Sequence, residues 1–444
     1  MYKKHTLAWF LFGLGSQLQI VASMSFTELF VFIAAPCWFL SERQYLKQNG
    51  VMTFFILSVA VFCACIISCV VNETPRLFAL RGLAVTILLP CTIVVGHRML
   101  RINMNGIKWM LVGVAISNIL SIFVFQKSVE VYMYGGGEFG EGAVSGIISN
   151  PLFWISRMGS FLMLIPQGWY LQCPLFISVV VPIFLSFFSL FTSSSGRSAA
   201  LVSVFSAVII LACGKAQRKM FLMGKHILFL CIILGLCLLC FKFVYSKVAS
   251  EGLLNEAATE KYLRQTKEGS GIFQLIMSGR MESFCGLIAC IDRPIIGFGP
   301  WAEDKWGYIG EYLNRFGSQE DYDNYENVLR YEAKNGIVGL RLIPGHSHIT
   351  MFWLWYGICG LIFWLYVIFV LIRYIKEDAW AVPQWFMWLA AAVPGYLWHI
   401  AFSPFGNRVG TIMFILACLM VRAVRKGTQQ LPYEMILEIE RNRR

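Results

Sequence analysis

The chain has 444 residues, of which 57 % are hydrophobic and only 14 % charged, with a net charge of +12. A soluble globular domain carries about 25 % charged residues, so an ordinary water-soluble fold is excluded. The apolar runs lack the alternation of ~10-residue barrel strands, and the positive charge is broken into short clusters between runs, which speaks against a nucleic-acid surface.

Lys3 and Lys4 precede an apolar stretch from 7 to 40. A signal peptide has a much shorter apolar core, so the stretch reads as two short helices joined near 23–25. Further runs of ~17–25 residues, the length that crosses a ~30 Å hydrocarbon core, are expected at 51–71, 77–95, 108–126, 151–169, 174–192, 198–213 and 226–246. The last three fall at 347–372, 383–402 and 408–422. The expected fold class is an all-α polytopic membrane protein with about twelve transmembrane helices and both termini cytoplasmic. Basic groups at Arg43 and Lys47, at His97, Arg98, Arg101 and Lys108, at Lys215, Arg218, Lys219 and Lys225, and at Arg373 and Lys376 then all face the cytoplasm. That is the asymmetry of the positive-inside rule. The loop at 127–150, with Glu130, Glu138 and Glu141, falls outside.

The resulting organisation is helices one to nine over 1–246, a large periplasmic loop over 247–346, three helices over 347–422 and a basic cytoplasmic tail over 423–444. The loop holds most of the acidic residues and helix-like pieces at 255–267 and 272–291. Loops of this length in compact proteins are commonly functional. Most of the fourteen cysteines lie inside apolar runs, as Cys63, Cys65 and Cys69 do. With no paired CxxC, they read as small core hydrophobes, and neither a disulfide framework nor a zinc site is expected.

Three features converge on the outer face. The Thr-Ser-Ser-Ser-Gly-Arg run at 192–197 puts Arg197 beside a helix N-terminus, where backbone N–H groups and a guanidinium suit a phosphate; interfacial snorkelling is the alternative. Ser278-Gly279-Arg280 opens a helix-like stretch with hydrophobes at Phe284, Leu287 and Ile288, and an arginine paired with a nearby acid is the alternative there. Asp292-Arg293-Pro294 and Gly297-Phe298-Gly299-Pro300 follow as turn formers. Gly345-His346-Ser347-His348 stands at the mouth of the next span, where a histidine titrates near neutrality and can act as a general base. No acidic partner motif accompanies the two histidines, so no metal is expected. Arg76 and Arg81 flank an outer loop, and Arg157 lies within the 151–169 run, where a buried arginine is costly. The glycine tract at 135–140 lacks a following Gly-Lys-Ser/Thr and is no P-loop.

His346-Ser347, followed after nine residues by Gly357-Ile358-Cys359-Gly360, resembles the histidine signature of the O-antigen ligase family, a group that includes O-antigen and exopolysaccharide polymerases. Arg197, Arg280 and His346 follow the order of that family's two arginines and histidine, and Ser149-Asn150-Pro151 resembles a further element of it. Leu361 departs from the small β-branched residue of the signature, and His348 is an additional histidine. The resemblance covers mainly 190–372. It implies a bacterial inner-membrane glycosyltransferase with its site on the periplasmic face, taking a glycan from undecaprenyl diphosphate. His346 would be catalytic, Arg197, Arg280, Arg81 and Arg76 would bind the diphosphate, and Ser347, Gly357 and Gly360 would support the motif. No cofactor is implied, and the reaction would be metal-independent and inverting. The acceptor would be lipid A–core for a ligase or a second carrier-linked glycan for a polymerase. A transporter is the reading from another class, but polar features gather on one face and the two halves of the chain show no correspondence.

Overall fold

The computed structural model describes residues 2–120, 281–316 and 341–373 with short interruptions, together with scattered positions at 243–251, 323–334 and 393–401. The described part is mostly helical. In chain order it contains α1 (Tyr2–Leu14), β1 (Gln19–Val21), β2 (Met24–Ser25), α2 (Phe26–Gln48), α3 (Met52–Val71) and α4 (Arg76–Ile102). It continues with α5 (Met281–Asp292), α6 (Tyr308–Phe316), α7 (His348–Tyr356) and α8 (Ile358–Arg373).

The expected join between the first two helices is a tight antiparallel pairing of β1 and β2. A reciprocal cap starts α2. The Ser25 N–H donates to Glu28 Oε2 at 2.8 Å, and the Glu28 N–H donates to Ser25 Oγ at 3.2 Å, which satisfies two of the first-turn donors that a helix leaves open. Thr27 Oγ1 then donates to the Phe12 carbonyl, tying the start of α2 to the end of α1.

Among the described residues, α3 and α4 are long and apolar enough to cross a membrane, and α8 is a shorter apolar helix. Their outward faces are apolar too. Ile56, Ile66, Ile67, Val70 and Val71 on α3, Leu77 and Leu80 on α4, and Ile362, Leu365, Phe369 and Ile372 on α8 are all exposed. Water penalises such a continuous apolar surface, whereas lipid does not. The inward faces interlock through rings: Phe54 of α3 stacks on Phe363 and Tyr366 of α8, and Phe352 of α7 lies against Phe363 and Trp364.

The α3 helix matches the expected run at 51–71, and the described residues of the runs at 108–126 and 383–402 are helical. Two expectations are corrected. The 77–95 run continues as helix to Ile102, because its basic end is drawn onto α2 rather than released into a loop. There the Glu42 carboxylate, buried, receives His97 Nδ1 at 2.9 Å and Arg101 Nη2 at 2.6 Å, with Arg98 Nη1 at 3.8 Å. Arg98 also donates to Ser41 Oγ and lies over Trp38, while Arg101 lies over Tyr45. The 347–372 run is two helices broken at Gly357, not one. The second half of the helical piece expected at 272–291 is α5; the piece at 255–267 lies outside the described residues.

Candidate functional site

The segment 292–301 leaves α5 and threads between the α3–α4 turn and the α7–α8 break. Toward the turn, Asn72, the C-cap of α3, uses its whole amide. Its Nδ2 donates to the Ser68 carbonyl at 2.8 Å and to the Gly297 carbonyl at 3.2 Å, and its Oδ1 accepts from Arg293 Nη1 at 2.8 Å. Pro300 packs onto Gly82 of α4 so closely that any Cβ there would overlap the ring. Trp301 stacks on Phe78 of α4 and lies 4.5 Å from the Trp355 ring of α7. It does so at a φ of 52°, a conformation that bulky residues rarely hold unless their surroundings impose it.

Toward the break, the Phe298 N–H donates to the Leu354 carbonyl at 2.7 Å and the Ile358 N–H to the Ile295 carbonyl at 3.1 Å. Trp353 Nε1 donates to the Pro294 carbonyl at 3.0 Å. Gly357 stands at φ 62° and ψ −149°, a region open essentially to glycine, and a Cβ there would strike the Ile295 carbonyl. A Cβ at Gly360 would strike the Phe352 carbonyl in the same way. Both glycines of the signature are therefore sites of backbone-to-backbone packing.

The approach to His346 is framed from two directions. The Asp304 N–H donates to the Arg341 carbonyl at 2.7 Å and the Ile343 N–H to the Ala302 carbonyl at 2.9 Å, so 341–343 runs antiparallel to 302–304. Pro344 then packs its carbonyl against Gly286 of α5, and Gly345 packs against Met351 of α7. Just past the histidine, Ser347 caps α7: the Thr350 N–H donates to Ser347 Oγ at 2.9 Å, and Ser347 Oγ donates to Thr350 Oγ1 at 2.8 Å. The Ser347 hydroxyl is thus committed to the helix start, and His348 is buried against the Trp364 ring.

Of the sequence-predicted residues, Ser347, Gly357 and Gly360 come together with 292–301. Arg76 and Arg81 are exposed at the start of α4, the helix that the same segment grips at Phe78 and Gly82. His346, Arg197, Arg280 and Arg157 lie outside the described residues, as does Ser149-Asn150-Pro151. No protein-family model, curated protein or solved structure matches this chain.

Two residues that the sequence did not mark as functional complete the site. One is Asn72. The other is Arg293, whose guanidinium lies 4.9 Å from the Phe298 ring centroid and 4.8 Å from that of Trp306. Its neighbour Asp292 accepts from the Tyr308 hydroxyl at 2.8 Å. Burial first, and that bond second, push the Tyr308 phenol up from its ordinary range, so it is a hydrogen-bond donor and not a base at neutral pH.

Proposed function

We propose that this chain is a multi-pass glycosyltransferase of the bacterial inner membrane, with about twelve spans, that moves a glycan from undecaprenyl diphosphate to an acceptor hydroxyl on the periplasmic face. The favoured acceptor is lipid A–core, which makes the reaction O-antigen ligation in lipopolysaccharide biosynthesis. The observation that carries the reading is the frame around the histidine signature. Gly345 and Ser347 are fixed on either side of His346, and both signature glycines sit where only glycine fits, against the loop segment that also holds an arginine on the surface. A rigid mount of this kind suits a group that has to meet a reacting atom within hydrogen-bond reach.

The acceptor oxygen attacks the anomeric carbon as the bond from that carbon to the diphosphate oxygen breaks. Its proton passes to a neutral His346, and the carrier diphosphate leaves with the bonding pair. Arginines suit the leaving group, because a guanidinium keeps its charge and offers paired donors to oxyanions. A single displacement inverts the anomeric carbon. Arg197, Arg280, Arg81 and Arg76 are assigned to the diphosphate and His346 to the proton.

Reconstitution tests this. Purified protein is given carrier-linked glycan with and without lipid A–core, beside a His346→Ala variant. The expected result is product only when lipid A–core is present and at least a hundredfold loss in the variant, the scale of a general base. Lengthened carrier-linked glycan without lipid A–core would instead mean a polymerase. Full turnover by the variant would remove His346 from the chemistry, and no product from intact wild-type protein would return weight to a transporter.

A further inference from the structure

The surface near the Asn72 turn carries an arginine whose construction exceeds what packing requires. Arg293 is exposed, yet its guanidinium is placed against two ring faces and pinned at one nitrogen by Asn72 Oδ1. A guanidinium has five N–H donors. Among the described residues, the Asn72 amide is the only hydrogen-bond partner found for it, and no carboxylate pairs with it. The adjacent acid that would ordinarily neutralise it is held by Tyr308 instead. The side chain has thus already lost the rotamer freedom that binding would otherwise cost, and it keeps donors free for a planar oxyanion.

The surroundings favour the same kind of ligand. The Asn72 turn leads directly into α4, whose first residue is Arg76 and whose first turn has no acidic residue. A cation there opposes the positive end of the helix dipole. Arg81, also exposed, follows in the second turn. Three arginines without carboxylate partners among the described residues therefore flank one rigid junction, on the side that the expected topology turns outward.

We propose that Arg293, lying over Phe298 and Trp306 and anchored by Asn72, is a further oxyanion-binding residue of this face, and that it holds the diphosphate of the lipid-linked donor. The assignment of the ligand rests on the function proposed above; the subsite itself rests on the geometry. Two sources could supply the same phosphate chemistry, the diphosphate carrier and an anionic phospholipid headgroup, and the experiment separates them.

The full chain is placed in nanodiscs of phosphatidylcholine and titrated calorimetrically with farnesyl diphosphate, with farnesol as the uncharged control. The informative variant is Arg293→Gln, which keeps a flat group over the rings and an amide donor for Asn72 while removing the charge. Farnesyl diphosphate should bind the wild type and bind R293Q about tenfold more weakly, the scale of one charge-assisted hydrogen bond, with farnesol uptake and thermal midpoint unchanged. Equal affinity in R293Q overturns the proposal, and so does an equal loss toward farnesol, which would make Arg293 a packing residue. Should R293Q fail to fold, Asn72→Ala takes its place: releasing the anchor should weaken diphosphate binding severalfold, and unchanged affinity overturns the proposal. Adding phosphatidylglycerol gives the third arm. Displacement of the diphosphate at equimolar lipid assigns the anion to a headgroup and overturns the donor assignment, whereas retained binding supports it. Because binding is read without turnover, absence of transfer in the wild type would sink the ligase reading alone. Wild-type affinity in R293Q, together with an inactive His346→Ala, would sink only Arg293.

Discussion

Glu42 meets His97, Arg98 and Arg101 of α4 with a carboxylate that has no contact with water. Burial alone would favour its protonated form, but the hydrogen bonds from His97 and Arg101, with the Arg101 charge, outweigh that and hold the carboxyl below its ordinary value of 4.5. A depressed carboxylate contributes stability above its unfolded pKa and loses it as pH falls through the folded one. The thermal midpoint should therefore fall as pH drops below about 4.5, and Glu42→Gln should flatten that part of the profile. At pH 7 the variant should be less stable by about 1 kcal/mol, the scale of a charge-assisted hydrogen bond to a partner that keeps its access to water. Differential scanning fluorimetry across pH checks both, and an unchanged acid limb would show that the contact carries no linkage. Ser347→Ala is the contrasting residue-scale case. It removes one helix cap, costs about 1 kcal/mol, and leaves the proposed proton acceptor in place.

At the scale of elements, the two helices α7 and α8 explain why a hydropathy profile reads them as one. Residues 351–372 are apolar throughout, and the break uses no polar or proline signal; it is made by one positive-φ glycine and a carbonyl arriving from 292–301. Apolar periodicity reports burial, and both halves are buried on one side, so the interruption is invisible to it. The start of α2 is legible in the sequence, because Ser25 and Glu28 have the spacing of a reciprocal cap. For the same reason, Asp292-Arg293-Pro294 and Gly297-Phe298-Gly299-Pro300 were readable as turns but not as a clamp, since their partners Asn72 and Gly82 lie more than two hundred residues away. Gly357→Ala should destabilise the protein by on the order of 2–3 kcal/mol, from the forbidden backbone region and the collision with Ile295. It should also expose 292–301 to protease before the rest of the described fold, and limited proteolysis checks that order. Equal resistance in the variant would mean that the segment is held independently of the break.

For the whole molecule, composition alone carried the helical class, and the boundaries of α3 followed from apolar length; the contacts that join the loop to the first helices did not. The proposed topology can be tested in cells. In a cysteine-free background, Glu73→Cys should react with a membrane-impermeant maleimide on intact spheroplasts, and Lys47→Cys only after lysis. The reverse pattern would invert every assignment of a face. The junction at Asn72 also sets an order of events during biogenesis. Its amide waits for a carbonyl 225 residues later in the chain. At about 5–20 residues per second, the ribosome needs on the order of ten to forty-five seconds to deliver it. Through that interval α3 and α4 carry a cap without its Gly297 and Arg293 partners and an unfilled notch at Gly82. The nascent N-terminal helices are thus a partly finished receptor, closed only when Arg293 and Pro300 arrive.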